Sequence, residues 1–126
     1  YPLHKQDKAS PADLARGAER VMQKLELIHQ EANRPIWFTE IGYRSATSAW
    51  KSPHSEADQR AVDEQAQAQC YEAILAATYD KDWIGGYFWW KWPCDLSYDE
   101  DWGRGYMPLG KPAQQVLERY YLSERH

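Results

Sequence analysis

The carboxylate of Glu40 is the first candidate for chemistry in this sequence. It lies near the end of residues 36–42, a run that is otherwise almost wholly apolar, β-branched or aromatic and that predicts a strand of a parallel sheet buried on both faces. A carboxylate there either serves a functional site or pairs with a cation, and spacing leaves Arg44 and Lys91 open as partners. Side-chain alternation predicts that Glu40 shares a face with Phe38.

An aromatic run supplies the second candidate feature. Residues 84–92 are interpreted as another buried strand, with Trp90 and Trp92 near its end. Alternation places these two on one face with Phe88 and places Lys91 on the other. Aromatic residues in such a strand are more often core residues, but an indole near a strand end can stack on the C–H face of a sugar ring.

Other chemistries find little support. The histidines are dispersed, with none at ligand spacing, so no metal site is predicted. The acidic residues before Trp102 match no Ca²⁺-binding loop and are interpreted as solvated. No Gly-x-Ser-x-Gly elbow or phosphate-cradling glycine loop occurs, and no cofactor is predicted. Cys70 is expected to be a small buried residue, unbridged to Cys94.

The elements that must position these residues alternate in type. Residues 10–33 predict a helix that begins with Ser10 as its N-cap. A second helix is predicted from about residue 58 to 79, with Val62 in its apolar stripe, and a third over residues 111–121. The order helix, strand, helix, strand, helix predicts the α/β class, with right-handed βαβ units and a parallel sheet.

Loop length indicates where a site would lie. Both strand-to-helix connections, about residues 43–57 and 93–110, exceed the ~12 residues beyond which a loop is usually functional, whereas the helix-to-strand connections are short. In α/β barrels and open α/β sheets the carboxyl ends of the strands carry the active site. We therefore expect the site at that end.

Composition narrows the class of protein. The 126 residues fit one domain, and the net charge of -4 without a basic block argues against nucleic acid or anionic membranes as partners. No apolar run reaches the ~20 residues of a membrane span, and the first residues do not form a signal peptide. Seven Trp and nine Tyr against two Phe favour a polar, sugar-like or peptide-like ligand. The absence of an initial Met indicates a piece of a longer protein.

Three strings carry a resemblance to a known family. They are Phe-Thr-Glu-Ile-Gly-Tyr at 38–43, Gly-Tyr-Phe-Trp-Trp-Lys-Trp at 86–92 and Gly-Lys-Pro-Ala at 110–113. Together they resemble the C-terminal part of glycoside hydrolase family 113, which consists of β-mannanase-like retaining enzymes with a (β/α)8 TIM barrel. The resemblance implies that residues 1–126 form a single partial domain, from the end of barrel strand 6 through helix 8.

The resemblance also implies roles for individual residues. Glu40 would be the nucleophile at the end of strand 7. Trp90 would be the platform under the sugar at the cleavage site, and Tyr1 would donate a hydrogen bond to the nucleophile. Further substrate-binding residues are expected at Tyr43, Trp50 and Trp92.

The second catalytic carboxyl of the family, a strand-4 glutamate about 5 to 5.5 Å from the nucleophile, would lie outside this chain. The resemblance thus implies a carbohydrate substrate, and as partner the missing N-terminal half of the barrel or another chain. The alternative is a non-catalytic carbohydrate-binding or scaffold fragment, inactive alone or completed in trans. The compartment is left open, although a polysaccharide substrate favours an extracytoplasmic one.

Overall fold

The computed structural model describes residues 1–55, 59–98 and 101–123. Two strands, Ile36–Ile41 and Ile84–Trp89, pair in parallel, which confirms the predicted α/β class and the predicted order of elements. No helix in the described residues is long and apolar enough to cross a membrane. The elements are α1 (Pro11–Ala32), β1 (Ile36–Ile41), α2 (Glu64–Thr78), β2 (Ile84–Trp89) and α3 (Pro112–Tyr121).

Local capping chemistry fixes both ends of α1. The Asp13 amide donates to the Ser10 hydroxyl at 3.1 Å, and the Ser10 amide donates to the Asp13 carboxylate at 2.8 Å. This reciprocal pair satisfies two amides that a helix start leaves without partners. At the other end Asn33 adopts a left-handed conformation and its amide donates to the carbonyl of His29. The helix therefore ends as the sequence predicts.

An irregularity in β1 reverses the expected orientation of Glu40. Phe38 pairs with Tyr87, and Ile41 pairs with Trp89, so β1 advances three residues while β2 advances two. One extra residue in β1 is the signature of a β-bulge. Phe38 and Ile41 are accordingly both buried, and Glu40 is exposed. The prediction that Glu40 shares a face with Phe38 is wrong for this reason.

The sheet is buried on one side, not on both as the apolar runs predict. Trp37 is 53% exposed and Phe88 is 60% exposed, and their rings contact each other with centroids 6.2 Å apart. The Trp37 indole lies against Gly85 and Gly86, where a Cβ would come within 2.7 Å or less of the ring. This aromatic face of the sheet has no covering element in the described chain.

The other side of the sheet faces the helices. Phe38 stacks on Tyr87 at 5.2 Å, and Trp89 stacks on Tyr71 of α2 at 4.3 Å. Helix α2 is the central helix, packed against both α1 and α3. It carries Cys70, which is fully buried, whereas Cys94 is exposed, and both thiols are free as predicted.

Helix α2 begins six residues later than predicted, at Glu64 instead of about Asp58, which lies outside the described residues. Asp63 is its N-cap and accepts from the Ala66 amide at 2.9 Å. Residues before it are extended, because Val62 forms an antiparallel bridge with Ala46. Val62 is 51% exposed and does not belong to the helix stripe to which its spacing assigns it.

Candidate functional site

A cavity of about 380 Å³ opens at the carboxyl ends of the two strands. Its wall comes from the ends of the strands and from the two long connections, which follow β1 and β2. The location agrees with the prediction from loop length. The described residues that line it are Tyr1, Glu40, Ile41, Gly42, Arg44, Pro53, His54, Trp90, Lys91, Tyr98, Asp101 and Tyr106.

Glu40 presents an unengaged carboxylate to this cavity. Across residues 1–55, 59–98 and 101–123 its side chain has no hydrogen bond or ion pair. Of the proposed cationic partners, Arg44 forms its ion pair with Asp101 instead. A structural ion pair therefore does not account for the charge at the end of β1.

Trp90 lies beside Glu40 in the same wall. Strand β2 ends at Trp89, three residues earlier than predicted, and Trp90 is then held by its amide, which donates to the carbonyl of Ile41 at 2.7 Å. The indole is 46% exposed, and the Lys91 ammonium lies 5.8 Å from its centre. An exposed, amide-anchored ring beside a carboxylate is suited to stacking on a sugar.

The strand alternation predicted beyond Trp89 is wrong because the chain leaves the sheet there. Trp90 and Lys91, expected on opposite faces, both line the cavity. Trp92 does not: it lines a separate groove against α3 with Leu117 and Tyr121. Its predicted position on one face with Trp90 is therefore wrong.

Tyr1 lines the cavity, but in a different role from the one expected. No hydrogen bond joins it to Glu40 within the described residues. Its ring instead meets Phe38 edge to face at 5.3 Å, and its carbonyl accepts from the Tyr43 hydroxyl at 2.9 Å. The structure thus brings Tyr1 and Glu40 to one cavity without the predicted contact.

Tyr43 and Trp50, the remaining expected substrate-binding residues, are core residues. Tyr43 is fully buried, and burial raises the pKa of its hydroxyl well above the usual value. Trp50 is 6% exposed and its indole N–H donates to the carbonyl of Gln6 at 2.9 Å. Neither lines the cavity, because their rings pack beneath the loop instead of pointing out of it.

Three residues of the cavity wall that the sequence did not single out as site residues join the two loops. The buried Arg44 guanidinium, 3% exposed, forms an ion pair with Asp101 and lies 4.4 Å over the Tyr106 ring. Burial opposes the charge, but hydrogen bonding to Asp101 and the neighbouring Tyr106 outweigh it, and the pKa of Arg44 is raised. Asp101 belongs to the acidic loop, whose interpretation as merely solvated is wrong at this residue.

A second set of bonds joins the same loops at Ser45. Its amide donates to the carbonyl of Gly105 at 3.1 Å, and its hydroxyl donates to that of Gly103 at 2.6 Å. The ammonium of Lys111, the N-cap residue of α3, donates to the Ser45 hydroxyl at 2.9 Å. Buried Gln67 of α2 donates its amide N–H groups to the carbonyls of Tyr43 and Tyr106, each at 3.0 Å.

The described part of the chain holds no cluster of three or more His, Cys, Asp or Glu side chains arranged to bind a metal ion. The described cavity wall offers one carboxylate without a partner, one half-exposed indole and the polar groups of two loops. That set can bind and attack an electrophilic carbon, and it matches carbohydrate chemistry.

The model of Glycoside Hydrolase Family 113 matches residues 6–111 of this chain. The chain belongs to glycoside hydrolase family 113. The match spans α1, both strands, α2 and both long loops, and it includes every described residue of the cavity wall except Tyr1. No curated protein is significantly similar to the chain.

Solved family 113 enzymes share this fold. A GH113 beta-1,4-mannanase superposes with a TM-score of 0.76 at 28% identity, over 87% of this chain and 36% of that enzyme. A complex of a GH113 beta-1,4-mannanase gives a TM-score of 0.75 at 27% identity, over 87% and 36%. The GH113 beta-mannanase AaManA from Alicyclobacillus acidocaldarius, in complex with ManMIm, gives 0.74 at 28%, over 86% and 36%. The chain thus spans about a third of the enzymes it resembles and is an α/β portion of a TIM-barrel glycoside hydrolase fold.

Proposed function

We propose that this chain is the C-terminal part of a retaining glycoside hydrolase that acts on β-mannan-type polysaccharides or oligosaccharides, with Glu40 as its nucleophile. The observation that carries the proposal is the unengaged Glu40 carboxylate beside the half-exposed Trp90 indole in one cavity. The mannanase activity named for the similar structures supports the substrate class.

In a retaining hydrolysis Glu40 attacks the anomeric carbon from the side opposite the leaving oxygen, and a glycosyl-enzyme ester forms while the glycosidic bond breaks. A carboxylate without an ion-pair partner suits this step, because a bound cation would make its oxygen a weaker nucleophile. Trp90 orients the ring that carries the reacting carbon.

The acid/base carboxyl of the proposed reaction comes from outside this chain. Asp101 is the other described carboxylate in the cavity wall. It is ion-paired to the buried Arg44 and so already has a partner within the chain. The chain alone is therefore proposed to be inactive, because protonation of the leaving oxygen needs a second, available carboxyl group.

The open surfaces of the chain fit a partial barrel that runs from the end of strand 6 through helix 8. The aromatic face of Trp37 and Phe88 would line the barrel interior. A groove of about 430 Å³ contains Trp92 and Tyr121 beside the exposed Leu122. Together with the free edges of the two-stranded sheet, these are the surfaces that the remaining barrel elements would cover.

The decisive test uses the complete enzyme, which supplies the upstream strands. Glu40→Gln should lower kcat on manno-oligosaccharides by roughly a thousandfold or more, since the nucleophile is lost, while oligosaccharide binding is retained. Glu31→Gln, an exposed carboxylate on α1, is the matched control and should keep full activity. Retained turnover in Glu40→Gln would refute the assignment.

Chemical rescue separates a nucleophile from an acid/base residue. In Glu40→Ala, azide can take the place of the carboxylate and displace the aryl oxide of an activated aryl β-mannoside. Attack on the face opposite the leaving group gives the α-mannosyl azide. A β-mannosyl azide would instead assign Glu40 the acid/base role.

A second candidate function is carbohydrate binding without catalysis, which is favoured because Glu40 alone, among the described carboxylates of the cavity wall, has no ion-pair partner. Isothermal titration of the 126-residue chain with manno-oligosaccharides tests it. Binding without hydrolysis would support this function for the chain by itself, and absence of binding would remove it.

A further inference from the structure

The segment 53–55 is held against the cavity from both sides of one residue. The Tyr106 hydroxyl donates to the carbonyl of Pro53, and the Arg44 Nε donates to the carbonyl of Ser55 at 2.7 Å. His54 lies between the two anchored carbonyls and lines the cavity. Its backbone is thus fixed by a phenol and a guanidinium that come from different loops.

The two groups that hold this segment are themselves buried. Arg44 is 3% exposed and Tyr106 is 5% exposed. A buried guanidinium carries a large desolvation cost, which its ion pair with Asp101 and its bond to the Ser55 carbonyl offset. The two anchors hold the backbone on either side of His54.

The His54 imidazole is exposed, and in the ranges that the structure covers it has no hydrogen bond or ion pair. A neutral imidazole offers one N–H donor and one nitrogen acceptor. Sugar hydroxyl groups both donate and accept, so they complement the two ring nitrogens.

We propose that His54 is a substrate-binding residue of this cavity, which hydrogen-bonds a hydroxyl group of the bound carbohydrate, and that Arg44 and Tyr106 are its positioning residues. The inference rests on the proposed function, because it takes the ligand of the cavity to be a β-mannan-type oligosaccharide. His54 would add a substrate contact from the loop after β1 to the contacts proposed for Glu40 and Trp90 at the strand ends.

The test measures binding in the complete enzyme inactivated by Glu40→Gln, with mannopentaose as the probe. Loss of one hydrogen bond should weaken the Kd of His54→Ala by roughly tenfold. His54→Gln should recover part of the loss, since its amide also donates and accepts. His4→Gln, a histidine outside the cavity wall, should leave the Kd unchanged.

The positioning role has its own readout. Tyr106→Phe removes only the hydroxyl that fixes Pro53 and should weaken binding by less than His54→Ala. In a His54→Ala background the same change should have no further effect, since positioning matters only if His54 is present. An equal effect of Tyr106→Phe in both backgrounds would reduce Tyr106 to a structural residue.

The two proposals fail in distinguishable ways. If the Glu40→Gln enzyme binds mannopentaose equally well with and without the His54→Ala substitution, the His54 proposal is overturned and the nucleophile assignment stands. If Glu40→Gln keeps its turnover, the nucleophile assignment fails, and the His54 effect is then read as a change of KM with kcat preserved. If the complete enzyme does not bind manno-oligosaccharides, both are wrong.

Discussion

The Trp90 amide donates a 2.7 Å hydrogen bond to the carbonyl of Ile41, and Ile41 directly follows Glu40. The proposed platform and the proposed nucleophile are thereby linked through a single backbone bond at the ends of two strands. Gly42 completes the contact, because its Cα lies against the Trp90 carbonyl. The spacing of carboxylate and indole is thus set by the main chain.

Gly42→Ala should disturb this link. The added Cβ would lie 1.9 Å from the Trp90 carbonyl oxygen, and relief of such a clash typically costs about 1 to 3 kcal/mol. In Gly110→Ala the Cβ would meet open space at a φ of 73°, at a cost of about 1 kcal/mol. Thermal unfolding and mannopentaose titration compare the two. We expect weakened binding for Gly42→Ala only; equal binding would show that Trp90 does not depend on Gly42.

Trp90→Ala should weaken oligosaccharide binding without unfolding the protein. The indole is about half exposed and lies outside the buried core cluster, so the fold does not depend on it. Loss of a stacking contact worth about 1 kcal/mol raises the Kd roughly fivefold. Trp102→Ala removes an 84% exposed indole that is outside the cavity wall and serves as the control. Both variants are made in the Glu40→Gln enzyme and titrated with mannopentaose. An unchanged Kd for Trp90→Ala would show that Trp90 is not a sugar-binding platform.

Gln67→Met should destabilise the fold through the loops. The fully buried amide serves the carbonyls of Tyr43 and Tyr106, and leaving two buried carbonyls unsatisfied costs about 2 to 4 kcal/mol. Gln65→Met on the exposed side of the same helix should change the free energy of unfolding by less than about 0.5 kcal/mol. Denaturant unfolding measures both, and comparable values would contradict the structural role of Gln67.

The two thiols should differ in reactivity. Burial raises the pKa of the Cys70 thiol, and its side chain is inaccessible, whereas Cys94 is exposed. A thiol reagent near pH 8 should therefore label Cys94 in the native protein and Cys70 only after unfolding. Peptide mass mapping before and after denaturation gives the result; native labelling of Cys70 would place it outside the core.

Acid should weaken the start of α1. Hydrogen bonds from the backbone and side chain of Ser10 lower the pKa of Asp13 below 3.8. Because the folded state has the lower pKa, this stabilisation is complete above the unfolded pKa and is lost as the pH falls through the folded one. We expect the Tm difference between wild type and Asp13→Asn to shrink below pH 3.8. A difference that is constant with pH would mean that the ionised cap contributes nothing.

Elements whose limits depend on local chemistry could be predicted from the sequence. Ser10 and Asn33 define the ends of α1 through bonds within a few residues. The start of α2 could not be found in this way, because the bridge between Val62 and the distant Ala46 keeps the chain extended up to the N-cap, Asp63.

The residues of the candidate site also differ in whether local sequence or distant contacts determine their positions. Glu40 is predictable because a carboxylate ends an apolar run, but the bulge that turns it away from Phe38 depends on pairing with β2. Arg44 and Asp101 are 57 residues apart, so neither indicates the other in the sequence. The burial of Trp50 depends on Gln6 at a similar distance along the chain.

The bonds at Ser45 have a consequence for the dynamics of the site. Ser45 joins the loop after β1 to Gly103 and Gly105 of the loop after β2, and Lys111 ties the same hydroxyl to the start of α3. Opening either loop breaks the bonds of the other. We therefore expect the two loops to open as one cooperative unit. The amides of Ser45 and Asp63, the second of which donates to the Ser45 carbonyl, should then show the same opening free energy in hydrogen exchange.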